Sequence, residues 1–303
     1  MHPVKKFTTV GLGELLWDIL PSSRQLGGAP ANFAYMTSLL GDDGIVASRV
    51  GTDNLGDEAV LRLESLGVNT SFIQRDDTYR TGVANVSLDS KGQPSFQIAQ
   101  PVAWDYFEWT PAWQSLAQKA DAVCFGSLAQ RSPQSRAATR SFLQAIRPNA
   151  ARVFDVNLRQ SFYSREILVD SAKGASIIKL NHEELPAVAR LLGFPYQDET
   201  SAAQWLLNTF RLQLVCVTRG AAGSLLVAER AVHEHPGFRV QVADTVGSGD
   251  AFTAALIYHF LRGHSLSAMN EAANRMGSWV ASQTGATPAP DESRLASIRA
   301  AAG

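Results

Sequence analysis

Residues 244–252, DTVGSGDAF, set two glycines, a serine and two aspartates directly before the apolar run TAALIYHFL. Gly247, Ser248 and Gly249 carry no bulk where a backbone must come close to a ligand, and the run behind them has helical length and spacing. Amides at such a helix start, backed by the positive end of its dipole, suit a phosphate or a developing oxyanion. Asp250 falls in the first turn beside that place, where a carboxylate can take the proton from an attacking hydroxyl. The plainer reading is a turn with Asp250 as a helix-stabilising acid. A second segment, LGGAPANFA at residues 26–34, repeats the arrangement. There Pro30 takes an early helical position and Asn32 offers both a donor and an acceptor. Alone, it too reads as a helix start with a solvated asparagine.

Further polar residues gather at the ends of apolar runs. FDVNLR places Asp155, Asn157 and Arg159 at the end of a predicted strand, hence at the edge of a sheet where ligands bind. KLNHEEL places Asn181, Glu183 and Glu184 after another strand, and the glutamates also suit first-turn acids opposing a helix dipole. Asp18 in GELLWDILP alternates with Trp17 and Ile19, as a solvated strand residue would. His233 and His235 share one face of a predicted strand; with no third ligand at useful spacing, a solvated edge strand is expected rather than a metal. His259 and His264 flank a helix end and are expected to cap it or face solvent.

The elements that must position these residues alternate along the chain. FTTVGLG, IVASRVG, DAVCFGS, ARVFDVN, ASIIKLN and LQLVCVT read as short buried strands, and PANFAYMTSLL, LGDEAVLRLESLG, SPQSRAATRSFLQAI and EELPAVARLLG as helices between them. That alternation predicts an α/β fold, a mostly parallel central sheet with helices on both faces. One stretch departs from it. Residues 81–98 alternate apolar and polar side chains around SKGQ, an antiparallel hairpin with one wet face. With LLWDILP it is expected to form a small second sheet, its segments near 15–21 and 81–100, lying as a lid over the strand ends.

Composition narrows the function. The chain of 303 residues is 45% hydrophobic, ample for a core, and 27 Lys+Arg against 28 Asp+Glu leave a net charge of -1. No global field therefore favours nucleic acid or an anionic membrane. No apolar stretch of about 18 residues occurs, and the start turns polar before a signal-like core accumulates. Cys124 and Cys216 lie in apolar strand runs without the spacing of a metal or redox pair, which fits structural thiols in a reducing cytoplasm. GLGELL has Leu16 at the third glycine position of a dinucleotide fingerprint and no Walker A sequence is present, so a nicotinamide dehydrogenase is not expected.

GELLWDILP, LGGAPANFA, VGTDNLGDE, TGVANVSLD, FDVNLR, KLNHEEL, VTRGAAGS and DTVGSGDAF, in this order and spacing, resemble the ribokinase-like, phosphofructokinase-B family of sugar kinases, and within it the bacterial fructokinase-like members. The resemblance covers nearly the whole chain and implies one kinase domain over residues 1–303. It implies ATP as phosphoryl donor, Asp250 as catalytic base, and Gly247, Ser248 and Gly249 as the anion hole. Many members carry Ala where this chain has Ser248, and the backbone amide does the binding in either case. The resemblance assigns Asp18, Gly28 and Asn32 to the sugar, and Arg159 to the binding edge, on sugar or phosphate. It assigns Thr218, Gly220 and Asn274 to the nucleotide. Asn181 and Glu184 match its NxxE motif, which organises Mg²⁺ largely through water. Asp244, Val246 and Gly285, next to Ala286, match its monovalent-cation loop, implying K⁺.

Fructose, phosphorylated on its 6-hydroxyl, is the expected acceptor; ketodeoxygluconate, ribose or a nucleoside are the alternatives, and a non-catalytic sugar or nucleotide sensor is the rival outside catalysis. Intact Asp250 and Glu184 speak against the sensor. Trp17, Val83, Val86 and Phe96 put large apolar groups on the lid segments, from which a homodimer closing through the lids is expected, as in many family members.

Overall fold

The computed structural model describes residues 5–20, 23–88 and 94–300. Its strands are β1 (Thr8–Leu12), β2 (Leu16–Ile19), β3 (Arg24–Gly27), β4 (Asp43–Gly51), β5 (Asn69–Asp76), β6 (Gly82–Leu88), β7 (Pro94–Ile98), β8 (Ala122–Phe125), β9 (Ala151–Asp155), β10 (Ile177–Asn181), β11 (Leu214–Thr218), β12 (Ser224–Ala228) and β13 (Ala231–His235). Its α-helices are α1 (Ala29–Leu39), α2 (Asn54–Ser65), α3 (Pro111–Lys119), α4 (Pro133–Ala145), α5 (Arg165–Gly174), α6 (Glu184–Leu192), α7 (Glu199–Phe210), α8 (Ser248–Leu261), α9 (Leu266–Ala281) and α10 (Glu292–Arg299).

Nine strands form one sheet in the order β13-β12-β11-β10-β9-β8-β1-β4-β5. From β11 to β5 every pairing is parallel, and β12 and β13 close one edge antiparallel. Alternate residues of each strand feed two cores. Val123, Phe125 and Phe154 face the side covered by α3 to α7, while Cys124, Val153 and Cys216 face α1, α2, α8, α9 and α10. Burial on both faces explains why these strands read as unbroken apolar runs. It also seats both cysteines as free, buried thiols.

The remaining strands form the small sheet, order β3-β2-β6-β7. β6 and β7 are the expected antiparallel hairpin, whose SKGQ turn lies outside the described residues. β2 runs parallel to β6 and antiparallel to β3, a strand that the polar sequence RQLG did not announce.

Several expectations need correction. Trp17 is 4% exposed and covered within its own chain, its indole donating to Leu55 O at 2.9 Å. Val83 is half-buried in the same cluster, and the side chains of Val86 and Phe96 lie outside the described residues. His259 neither caps nor meets solvent: it is buried, with Nε2 on Ile298 O at 2.9 Å and Nδ1 on His264 Nδ1 at 2.6 Å. β13 is indeed an edge strand, but its histidines are held by α9: His235 Nε2 lies 2.8 Å from Glu271 and His233 Nδ1 3.0 Å from Asn270. Among the described residues no helix is long and apolar enough to cross a membrane.

Candidate active site

Two helix starts meet beyond the carboxyl ends of the central strands. α8 begins at Gly247, whose φ of 77° is a left-handed conformation open to glycine, and a Cβ there would lie 2.6 Å from that of Ala286. α1 begins at Gly28, φ 115°, where a Cβ would lie 2.5 Å from Glu14 O, and Pro30 follows in its first turn. Both helices are buried nearly all round, so their starts are fixed by packing. Asn32 and Asp250, 218 residues apart, thereby come together: Asn32 Nδ2 donates to Asp250 Oδ2 at 2.8 Å.

The electrostatics favour a basic carboxylate. Burial, then the charge of Asp155, pushes the Asp250 carboxyl up to about 6, against the pull of Lys179, the Asn32 hydrogen bond and Arg159. Asp18, on β2 opposite Gln25 and Ala84, is half-buried, and burial raises its carboxyl to about 6 against Arg159. Arg159 is exposed, donates to Leu158 O, and acts by charge on Asp18, Asp250 and Glu14. Those three acids therefore share the field of Arg159, with Asn32 bonded to Asp250 and Asp18 carried on β2 of the small sheet. Glu14 was not singled out from the sequence. It is 3% exposed, its Oε2 has no hydrogen-bond partner, and burial lifts its carboxyl to about 7, opposed mainly by its own amide. Its one visible signal is an acid directly after a buried strand.

The glycine loop differs from expectation at one amide. Ser248 N and Oγ both bond to Thr245 O, at 3.2 and 2.8 Å, so an anion would compete with the loop for that donor. Asp244 holds the same loop: Oδ1 accepts from Val246 N at 3.0 Å and Oδ2 from Gly285 N at 3.1 Å. The segments that carry Val246 and Gly285 are thus brought together.

Asn181 and Glu184 form a reciprocal bracket. Asn181 Oδ1 accepts from the amides of Glu183 and Glu184, and the Glu184 carboxylate accepts from Asn181 N at 2.8 Å and Leu158 N at 2.7 Å. Burial raises the Glu184 pKa, against those amides and Lys179. With both oxygens engaged by backbone amides, the pair suits a cation reached through water rather than a closed ligand cage. Among the described residues no group of three or more His, Cys, Asp or Glu is arranged to hold a metal.

On the remaining side, Thr218 ends β11 half-buried and Gly220 opens an exposed turn with φ 56°. Asn274 is 5% exposed, and its Nδ2 bonds to Ser224 Oγ and to Asn270, tying α9 to β12 instead of presenting donors to a base. Lys179 was also missed: it stands in β10 among apolar residues, 7% exposed, with Nζ 3.0 Å from Asp155 Oδ2. A lysine inside a buried strand run, one strand from an aspartate, was the signal available.

Comparison with known proteins bears on the fold and the family. A fructokinase of Escherichia coli is 30% identical over 260 residues, covering 81% of this chain and 82% of its own. The fructokinase of Xylella fastidiosa solved with bound ATP superposes with a TM-score of 0.85 at 27% identity, over 97% of this chain and 98% of that one. An uncharacterized sugar kinase of Pyrococcus horikoshii gives 0.84 at 26% identity, over 98% and 100%. These matches confirm the ribokinase-like fold. The model of the pfkB family carbohydrate kinases matches residues 22–293, and the chain belongs to that family of sugar kinases.

Proposed function

We propose that the chain transfers the γ-phosphoryl group of ATP to the 6-hydroxyl of fructose, giving fructose 6-phosphate and ADP. The Asn32–Asp250 contact at the two converging helix starts carries this reading: it fixes a half-buried, basic carboxylate beside the glycine loop. Asp250 takes the proton of the acceptor hydroxyl while its oxygen bonds to phosphorus and the bond to ADP breaks. Gly247, Ser248 and Gly249 form the anion hole; Asp18, Gly28, Asn32 and Arg159 face the sugar. Thr218 and Gly220 line the nucleotide side, with Asn274 supporting that wall.

Charge supports a neutral acceptor. Asp18, Glu14 and Asp250 are three acids under the charge of a single arginine, Arg159, which acts on all three. A sugar acid such as ketodeoxygluconate would meet more negative than positive charge, whereas the hydroxyls of a ketohexose suit carboxylate and amide partners. The test is an ADP-release assay over fructose, glucose, ribose, ketodeoxygluconate and adenosine, with the phosphorylated position read by phosphorus NMR. Fructose should lead; another acceptor ahead by tenfold in kcat/KM would leave a kinase of different substrate.

Asn181 and Glu184 would hold Mg²⁺ mostly through water, where it would offset charge on the transferring phosphate. Glu184→Gln should raise the Mg²⁺ concentration for half-maximal activity far more than the sugar KM. The loop held by Asp244, with Val246 and Gly285, would take K⁺, and rates in K⁺ should exceed those in Na⁺. The kinase acts as one domain in the cytoplasm, where ATP is supplied. Homodimerisation through the lid rests on the half-buried face around Val83, since Leu55 already covers Trp17; light scattering at micromolar concentration checks it.

A further inference from the structure

Asp155 and Lys179 stand directly opposite each other on β9 and β10, 3% and 7% exposed, with Nζ 3.1 and 3.0 Å from the two carboxylate oxygens. Thr253 Oγ1 lies 3.3 Å from Asp155 Oδ2 and 2.9 Å from Gly249 O. A Cβ on Gly249 would lie 3.0 Å from Lys179 Nζ. The pair is therefore seated under the first turn of α8, the turn that carries Asp250. A buried ion pair adds little net stability over an apolar pair of equal volume, so stability alone is a weak reason for one here.

We infer that Asp155, clamped by Lys179 and Thr253, is a positioning residue whose fixed negative charge keeps Asp250 basic enough to accept the proton of the acceptor hydroxyl. The inference rests on Asp250 being the base. The groups around Asp250 are Asn32 from α1, Asp155 from β9, Arg159 from the loop after it, Lys179 from β10, Glu14 from the segment after β1 and the buried Cys124 thiol from β8. After burial, Asp155 has the largest effect and strengthens the base; Lys179, Asn32 and Arg159 weaken it. The Lys179 ammonium and the Thr253 hydroxyl hold the Asp155 carboxylate in place. A more basic carboxylate draws the proton further in the transfer step.

The test is the acidic limb of kcat/KM against pH, which reports the free enzyme's base. Asp155→Asn should move that limb down by about one pH unit, and Lys179→Met should move it up, because Asp155 then acts without its counter-charge. A purely structural pair would leave the limb in place or move it the same way in both variants, and either result would overturn the inference. If single variants fail to fold, each leaving a lone buried charge, the double variant Asp155→Leu/Lys179→Met leaves none. Its limb should still lie below that of the wild type, and an unmoved limb would overturn the inference. Asp250→Asn separates the two layers: an active Asp250→Asn enzyme removes the base itself, whereas an inactive one with an unmoved Asp155→Asn limb removes only the role of Asp155.

Discussion

The two ends of α8, about 20 Å apart by helix rise, are built on opposite principles. At the far end the groups complement one another. Arg262 places two nitrogens on Asp42, at 3.0 and 2.7 Å, with its guanidinium over the Tyr258 and Phe7 rings, while Asp42 also accepts from Phe7 N. His259 is fixed between Ile298 O and His264, so its Nε2 carries the proton and its Nδ1 accepts. At the near end like charges are crowded. Asp250 lies under the influence of Asp155 and Glu14, and Glu14 keeps an oxygen without a partner. One helix thus carries a stabilising terminus and a terminus held against its own electrostatic preference by packing. On the proposed reading, proton chemistry belongs to the near end.

Asp250→Asn should break the comparison most sharply. It should lower kcat by about 10³-fold, within the usual worth of a general base, while the urea midpoint holds or rises because a strained carboxylate has been removed. Near-normal kcat would end the assignment. Asp42→Ala tests the far end. It leaves Arg262 without its carboxylate, and the loss should be about 3 kcal/mol in urea unfolding with the sugar KM of the remaining folded enzyme unchanged. A loss of activity without a loss of stability would place the function at the wrong end.

The smallest and most specific expectation is a pair of opposed pH slopes. Burial lowers the His259 pKa from 6.5 to about 4, so the unfolded chain binds more protons in that window. Its contribution to stability is present above pH 6.5 and is lost as pH falls towards 4. Glu14 works in reverse: with a carboxyl raised from 4.5 to about 7, the folded state binds more protons, and stability is lost as pH rises through that window. Asp18 and Asp250, both raised to about 6, add to the Glu14 slope, so the informative quantity is the difference between variant and wild-type urea midpoints: it should change with pH between about 4 and 6.5 in His259→Gln and, with the opposite sign, between about 4.5 and 7 in Glu14→Gln. A change of the same sign in both variants would mean that the two ends are not independent.

Much of this was visible before any coordinates. Strand runs buried on both faces announce themselves by unbroken apolar residues, and helix starts by glycine, proline and a first-turn polar residue, as at Asn32 and Asp250. What stayed hidden depends on neighbours across the sheet. A lysine inside a buried strand run asks for a partner, but the chain alone does not fix that partner as Asp155, 24 residues away, or show that Leu55 closes over Trp17. His259 looked like a solvated helix-end residue because α10, which covers it, is 39 residues away at Ile298. Asn274 followed the family pattern in sequence, yet its donors were claimed by Ser224 on a strand 50 residues earlier. Pairing across layers, rather than local propensity, decided each of these.

The Glu184 bracket has a thermodynamic consequence. Its carboxylate grips Leu158 N, the residue before Arg159 in the loop after β9, and Asn181 N, where β10 ends opposite Thr218 and the loop proposed to meet the nucleotide. Ordering either loop therefore restrains the other through one side chain, and by thermodynamic reciprocity each substrate should tighten the other's binding by the same factor. Equilibrium titration of ATP with and without saturating sugar should show synergy, and Glu184→Gln should uncouple the two, turning a concerted pair of binding events into independent ones.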